Sequence, residues 1–274
     1  MEVTLLGTGD TTGTPTVGCD CETCGRARDI GVERSRFSVH VHSEATGKSL
    51  LVDASPDFRQ QFLTQAVPLP DAAIISHVHF DHLDGLGNVY RLCRSLPVYA
   101  ANETDPVTGQ SVAETVRSRY DYLDRISVHA RSPMDSFAAA GFEVTLVPVE
   151  HPPLLCYGLH VEEPATGASL AITGDTSYAI PDSSIDVLTD ADLALVEGIV
   201  HADYCEHHPV GGDHENNEGV PRTFGTKHMT LTGAREVAAA LDASEYRIVH
   251  CSHFIPPAMA FGEDLAVDGE RFVL

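Results

Sequence analysis

The chain has 274 residues, 43% of them hydrophobic, and a formal net charge of -23. That is enough apolar material for a sizeable core, and the charge argues against the basic groove on which polynucleotide binding depends. No run approaches the roughly 18 consecutive apolar residues of a membrane span, and the N-terminus "MEVTLLGTG" opens on a strand with no basic leader before it. The expectation is therefore a soluble, cytoplasmic protein with no membrane partner.

Of 17 basic residues only Lys48 and Lys227 are lysines. This acidic, arginine-biased composition resembles that of proteins from salt-loving organisms, where the Debye length shrinks to about 3 Å at 1 M salt and self-repulsion is screened.

Strand-like runs recur along the chain at 3–9, 37–43, 49–55, 71–77 and 96–100, and again at 142–151, 154–163, 169–175, 192–198 and 246–253. Helical patterns fall near 56–66, 82–94, 107–121 and 230–242, the last after Thr230, a suitable N-cap. Strands dominate with helices interleaved, and no linker marks a second domain. The expectation is one α/β domain over 1–274, sheets packed on each other and covered by helices. Residues 199–227 carry Gly, Pro, Asn and charge without periodicity and read as a long loop near the active site. Its His201, Cys205, His207, His208 and His214 admit a further metal site or a solvated loop.

The stretch "IISHVHFDHLDG" packs three histidines and two aspartates between His77 and Asp84, directly after a buried-type strand. Groups on a loop at a strand end are held by a rigid scaffold. The alternating His77 and His79 can turn toward one ion, and Asp81 and His82 toward a second. Imidazole and carboxylate together suit Zn²⁺, Mn²⁺ or Fe²⁺ better than the oxygen-seeking Ca²⁺ and Mg²⁺. Three more ligand-type residues end strand-like runs: His151, Asp175 and His250.

This pattern, H-x-H-x-D-H followed by His, Asp and His, resembles the metallo-β-lactamase superfamily. The resemblance implies an αββα sandwich, two mixed β-sheets flanked by helices. It also implies one metal at His77, His79 and His151, a second at Asp81, His82 and His250, and Asp175 between them. Two neighbouring cations lower the pKa of a shared water and stabilise both the attacked and the leaving oxygens. Asp53, ending "LLVDAS", resembles the early buried aspartate of that family, which implies that it holds a ligand histidine from behind.

Seven cysteines in such a chain do not read as a disulfide framework. "GCDCETC" supplies Cys19, Cys21 and Cys24 in one tight loop. A closed structural zinc site needs four ligands, and His253, in "HCSH", is the candidate fourth.

Together, "GTGDTTGTPTVGCDCETC", "ITGDTSY", "KHMTL" and "HCSH" resemble the phosphoribosyl 1,2-cyclic phosphate phosphodiesterases of the carbon-phosphorus lyase pathway, over nearly the whole chain. That resemblance implies a structural zinc on Cys19, Cys21, Cys24 and His253, two active-site Mn or Zn ions, and a catalytic role for His228 beside Asp81 and Asp175. His228 also has a case of its own, since phosphodiester cleavage needs a proton for the departing sugar oxygen. A second substrate phosphate needs a cationic anchor, and Arg222 and Lys227 are the nearest candidates in sequence.

The expected reaction opens a small cyclic phosphodiester, with 5-phosphoribosyl 1,2-cyclic phosphate going to ribose 1,5-bisphosphate as the leading case. The expected partner is a small phosphorylated substrate, and a homodimer is compatible with the sequence. The rivals are a transfer-RNA 3′ processing nuclease of the same superfamily and a non-catalytic carrier resembling the pyrroloquinoline quinone biosynthesis protein. The metal motif alone also admits a β-lactamase or a thioester hydrolase.

Overall fold

The structure is a computed structural model that describes residues 1–274, the side chain of Tyr90 excepted. In chain order the first half runs β1 (Glu2–Gly7), α1 (Glu22–Ile30), β2 (Ser38–Ser43), β3 (Lys48–Val52), α2 (Phe58–Gln65), β4 (Ala72–Ile75), α3 (Phe80–Leu83), α4 (Leu86–Leu92), β5 (Leu96–Ala101), α5 (Val112–Arg119) and β6 (Ile126–Arg131). The second half runs β7 (Ser136–Ala139), β8 (Phe142–Val149), β9 (Cys156–Glu163), β10 (Ala168–Ile172), α6 (Asp182–Leu188), β11 (Leu193–Glu197) and α7 (Asp203–His207). It ends with β12 (Gly212–Glu215), β13 (Pro221–Phe224), β14 (His228–Met229), α8 (Leu231–Leu241), β15 (Glu245–Val249) and β16 (Arg271–Val273).

Two mixed sheets form the body. One has the order β16-β1-β2-β3-β4-β5-β6, the other β15-β11-β10-β9-β8-β7. The inner strands of the first are parallel from β3 to β6, and β10, β11 and β15 are parallel in the second. Alternation along a strand decides which face each side chain joins. Leu193 and Leu195 of β11 enter the core shared with Val39, Leu50, Ile74 and Val98 of the opposite sheet. Ala194 and Val196, one step out of phase, pack instead with Leu188 of α6 and Leu231, Ala234 and Val237 of α8. With α2 and α5 against the first sheet, the layers are helix, sheet, sheet, helix. Among the described residues no helix is long and apolar enough to cross a membrane.

Thr230 caps α8 as expected, accepting the Gly233 N–H at 3.2 Å, a contribution of about 1 kcal/mol. The pattern over 82–94 is split by Asp84 and Gly85 into α3 and α4. Gly85 belongs at this break, because a Cβ there would meet Ser55 O at 2.1 Å and Ala54 O at 2.5 Å. The helix α1 is so polar that it left no apolar stripe to read.

The long loop expected at 199–227 is corrected by the structure. It contains α7 and the hairpin β12–β13, which continues into β14 as a third, three-stranded sheet. These strands have four or fewer residues and are mostly half-buried or exposed on both faces, so they carry no apolar alternation.

Candidate metal centre

Every strand that feeds the centre ends there. Asp53 follows β3, His77 follows β4, His151 follows β8, Asp175 follows β10, Glu197 ends β11 and His250 follows β15. The chain turns sharply at these points. Asp53 (φ 56°) and His250 (φ 60°) hold left-handed backbone conformations that side chains rarely adopt, a strain typical of functional sites. Gly174 (φ 65°), just before Asp175, meets the same need without a Cβ, which would lie 2.8 Å from Tyr157 O.

Two donor groups meet in this space. In one, His77, His79, His151 and Asp175 bring their ligand atoms within 4.8 Å of one another; in the other, Asp81, His82 and His250 do the same. His77 Nε2 lies 2.9 Å from His79 Nδ1, which lies 3.3 Å from His151 Nε2. Asp175 Oδ2 spans both groups, 3.7 Å from His77 Nε2 and 3.4 Å from the Nε2 atoms of His82 and His250. All seven side chains are buried except His79, which is partly exposed.

The donors fit a pair of divalent transition metals. His82 Nε2 and both ring nitrogens of His250 are buried without a hydrogen-bond partner, an arrangement that costs about 1–3 kcal/mol per group unless something else satisfies it. Electrostatics point the same way. Burial would lower His82, but Asp175 and Asp53 outweigh it and push the ring up to about 10, so the surroundings of this ring favour positive charge, as a cation site would. Burial likewise opposes ionisation of Asp81, yet the ring of His250, 3.9 Å away, and the charge of His82 hold it down to about 2. Burial holds His151 down to about 3, as the neutral ring a ligand requires.

The back sides of the rings are held too. Asp53 accepts from His82 Nδ1 at 2.6 Å and from the Ser76 hydroxyl and N–H at 2.7 and 2.8 Å. Ser76 Oγ in turn faces His77 Nδ1 at 3.0 Å. The Lys227 carbonyl accepts from His151 Nδ1 at 3.1 Å. Such partners fix ring orientation and ligand basicity.

His228 stands at the edge of the centre, stacked 5.3 Å from the His250 ring and edge-on 4.8 Å from the His151 ring, with a ring nitrogen within 4.8 Å of the ligand atoms of Asp175 and His250. Its Nδ1 lies 2.9 Å from Oε1 of Glu197, whose Oε2 accepts the Met229 N–H at 2.7 Å. Glu197 also lies 3.6 Å from His250 Nδ1. This buried carboxylate is the site residue that the sequence reading missed. Its signal was available, since Glu197 ends the run "DLALVE" as Asp53 and Asp175 end or follow theirs.

Cys19, Cys21, Cys24 and His253 form a separate group. The Sγ atoms of Cys19 and Cys21 each lie 3.5 Å from His253 Nδ1. Cys21 also caps α1, accepting the Cys24 N–H at 3.4 Å. Burial raises the Cys21 thiol, but the bonds from His253 and Cys24 prevail and lower it to about 6. Three sulfurs and one imidazole fit a structural zinc.

Of the two cations expected at a substrate phosphate, Lys227 adds its charge to the burial that chiefly lowers His79. The Arg222 guanidinium donates to His214 O, Glu215 O and Glu236. The histidines of the segment before it form no metal-type cluster among the described residues. His208 packs against Tyr204 and Phe224, and His214 bonds Thr223 Oγ1 at 2.9 Å.

Comparison with known proteins follows this geometry. The family profile described as a beta-lactamase superfamily domain matches residues 48–251. The chain is 29% identical over 267 residues to an octanoyltransferase of Porphyromonas gingivalis, covering 93% of this chain and 47% of that protein. It thus spans about half the length of that curated relative. A solved diphosphatase of the PhnP family superposes with a TM-score of 0.76 at 25% identity, over 99% of this chain and 96% of the other. Zn²⁺-bound PqqB from Methylobacterium extorquens gives a TM-score of 0.76 at 21% identity over the full length of both.

Proposed function

The chain belongs to the β-lactamase superfamily, and from that premise we propose that it is a dinuclear metal-dependent phosphodiesterase acting on a small cyclic phosphodiester. The leading substrate is 5-phosphoribosyl 1,2-cyclic phosphate, opened to ribose 1,5-bisphosphate. One observation carries the reading. Two donor sets have Asp175 between them, and at their edge His228, whose ligand atom comes within 4.8 Å of those of Asp175 and His250, is held by a buried glutamate.

When bound, a pair of divalent cations supplies Lewis acidity, activating water and neutralising charge on the phosphoryl oxygens. The protein's own residues do the rest. His77, His79 and His151 would hold one ion, Asp81, His82 and His250 the other, with Asp175 between them. Asp53 and the Lys227 carbonyl keep His82 and His151 in the required tautomer. Glu197 fixes the Nδ1–H of His228, leaving Nε2 to carry the proton that the departing sugar oxygen takes up. The ammonium of Lys227, near His79, favours an anionic substrate. The thiolate group would hold a zinc that ties the loop before α1 to the segment following His250.

A carrier role like that of the pyrroloquinoline quinone protein leaves the Glu197–His228 pair without a purpose. A transfer-RNA nuclease would have to grip RNA with a chain of net charge -23. The octanoyl transfer named for the Porphyromonas protein belongs to a chain about twice as long and is not carried over. The deciding test compares kcat/KM at high potassium chloride for cyclic phosphoribose with and without its 5-phosphate, 2′,3′-cyclic nucleotides and a precursor transfer RNA. Preference for the 5-phosphorylated cyclic sugar is expected. Preference for the RNA, or indifference to the 5-phosphate, would overturn the specific assignment.

A further inference from the structure

Arg222 lies on β13, six positions before His228, and all three nitrogens of its guanidinium are in use. Nε donates to His214 O at 2.7 Å, Nη2 to Glu215 O at 3.0 Å and Nη1 to Glu236 Oε2 at 3.1 Å. The guanidinium carbon sits 4.1 Å from the centroid of the Tyr178 ring, and the Tyr178 hydroxyl donates to the same Glu236 oxygen at 3.3 Å. One side chain therefore joins the hairpin β12–β13, helix α8 and the loop that follows Asp175. A planar, charged fork is suited to this, since it stacks and hydrogen-bonds at once where a lysine cannot.

The consequence reaches the centre through backbone pairing. β13 pairs with β14 in the register Thr223↔Met229 and Phe224↔His228. Thr223 Oγ1 accepts the Tyr178 N–H at 3.0 Å, so the hairpin is fastened to the Asp175 loop a second time. The next residue back from His228 is Lys227, whose carbonyl holds His151. Whatever shifts β13 shifts His228, which pairs with its Phe224.

We propose that Arg222 is a positioning residue: clamped between Glu236 and Tyr178, it sets β13 so that His228 meets the leaving oxygen. The hairpin β12–β13 is then a strut for the catalytic histidine. This rests on the reading of His228 as proton donor, and a misplacement of about 1 Å far from the chemistry can cost on the order of 100-fold.

The test uses the full chain loaded with metal and compares wild type, Arg222→Ala, Arg222→Lys, Glu236→Gln and His228→Ala. Each is assayed on a 2′,3′-cyclic nucleotide, whose sugar oxygen needs a proton, and on bis-p-nitrophenyl phosphate, whose leaving group needs little. Arg222→Ala should lose about 10-fold to 100-fold in kcat on the first substrate and less than about threefold on the second, with KM within about twofold and metal content unchanged. Arg222→Lys and Glu236→Gln should show the same selectivity with a smaller loss, and Glu236→Gln keeps the volume of the site if the alanine variant folds poorly. Equal losses on both substrates, no loss, or a rise in KM alone would overturn the positioning role. If His228→Ala itself shows no selectivity, the proton-donor reading has failed and the proposal falls with it; selectivity in His228→Ala without any in the Arg222 and Glu236 variants sinks the positioning role alone.

Discussion

The two groups of metal-type ligands in this protein are built by opposite routes. The imidazole and carboxylate group draws on the ends of strands from both sheets, is buried but for part of His79, and has three of its rings oriented from behind by Asp53, Ser76 and a backbone carbonyl. The thiolate group comes from one loop, exposes Cys21, and gains its fourth member from a residue 232 positions away in sequence. The first is preorganised, its ligand atoms converging and most of its rings held by hydrogen bonds from behind. The second also brings its four ligand atoms within 4.8 Å of one another, and it joins two distant stretches of the chain, as a structural site does. Soft sulfur favours zinc there, whereas nitrogen and oxygen ligands tolerate manganese as well.

Variants can sharpen this contrast. The largest effect is expected at His228, where alanine should slow hydrolysis of a sugar ester by about 100-fold to 10,000-fold while both active-site metals remain bound. Stopped-flow or steady-state kinetics together with elemental analysis will check it, and loss of a metal would make His228 a ligand instead.

Next in size is Asp53→Asn. Asparagine tolerates the left-handed backbone at this position, so the fold should survive, but the carboxylate that holds His82 is lost. Metal affinity or activity should fall about 10-fold to 100-fold, measured by competition with a chelator. Unchanged affinity would mean that His82 is oriented by something other than Asp53.

The smallest effect on catalysis is expected at the thiolate loop. Cys21→Ser should remove one zinc per chain and cost about 2 kcal/mol or more in stability, a drop of roughly 4–8 °C in Tm, while kcat of the folded fraction stays within about twofold. A large fall in kcat at full fold would show that the two groups are functionally coupled.

Sequence legibility followed the same division. His77, His79, Asp81 and His82 were readable because four ligand types within six positions have few structural explanations. His151, Asp175 and His250 were readable because each ends or follows an apolar run. Glu197 escaped because an acid at a strand end, followed by glycine, looks like an ordinary turn until the fold places it against His228. The hairpin of 212–224 was unreadable for a different reason: strands this short and exposed on both faces carry no alternation. Arg222 read as a free loop cation because its partners, Glu236 and Tyr178, are distant in sequence and only the folded chain brings them together. That sheets pack on each other under helices was legible from the interleaved strand and helix patterns, and the two-sheet sandwich from the resemblance carried by the metal motif, while the order of strands within each sheet is a long-range property that local patterns do not encode.

The most direct test of the two-metal account is a titration. Protein stripped of its exchangeable metals, with the thiolate zinc retained, is given Mn²⁺ in small steps while hydrolysis of bis-p-nitrophenyl phosphate is followed. The account predicts that activity rises to a plateau at two equivalents per chain, with one zinc still bound throughout. Full activity at one equivalent, or a protein that binds two and hydrolyses nothing, would contradict it.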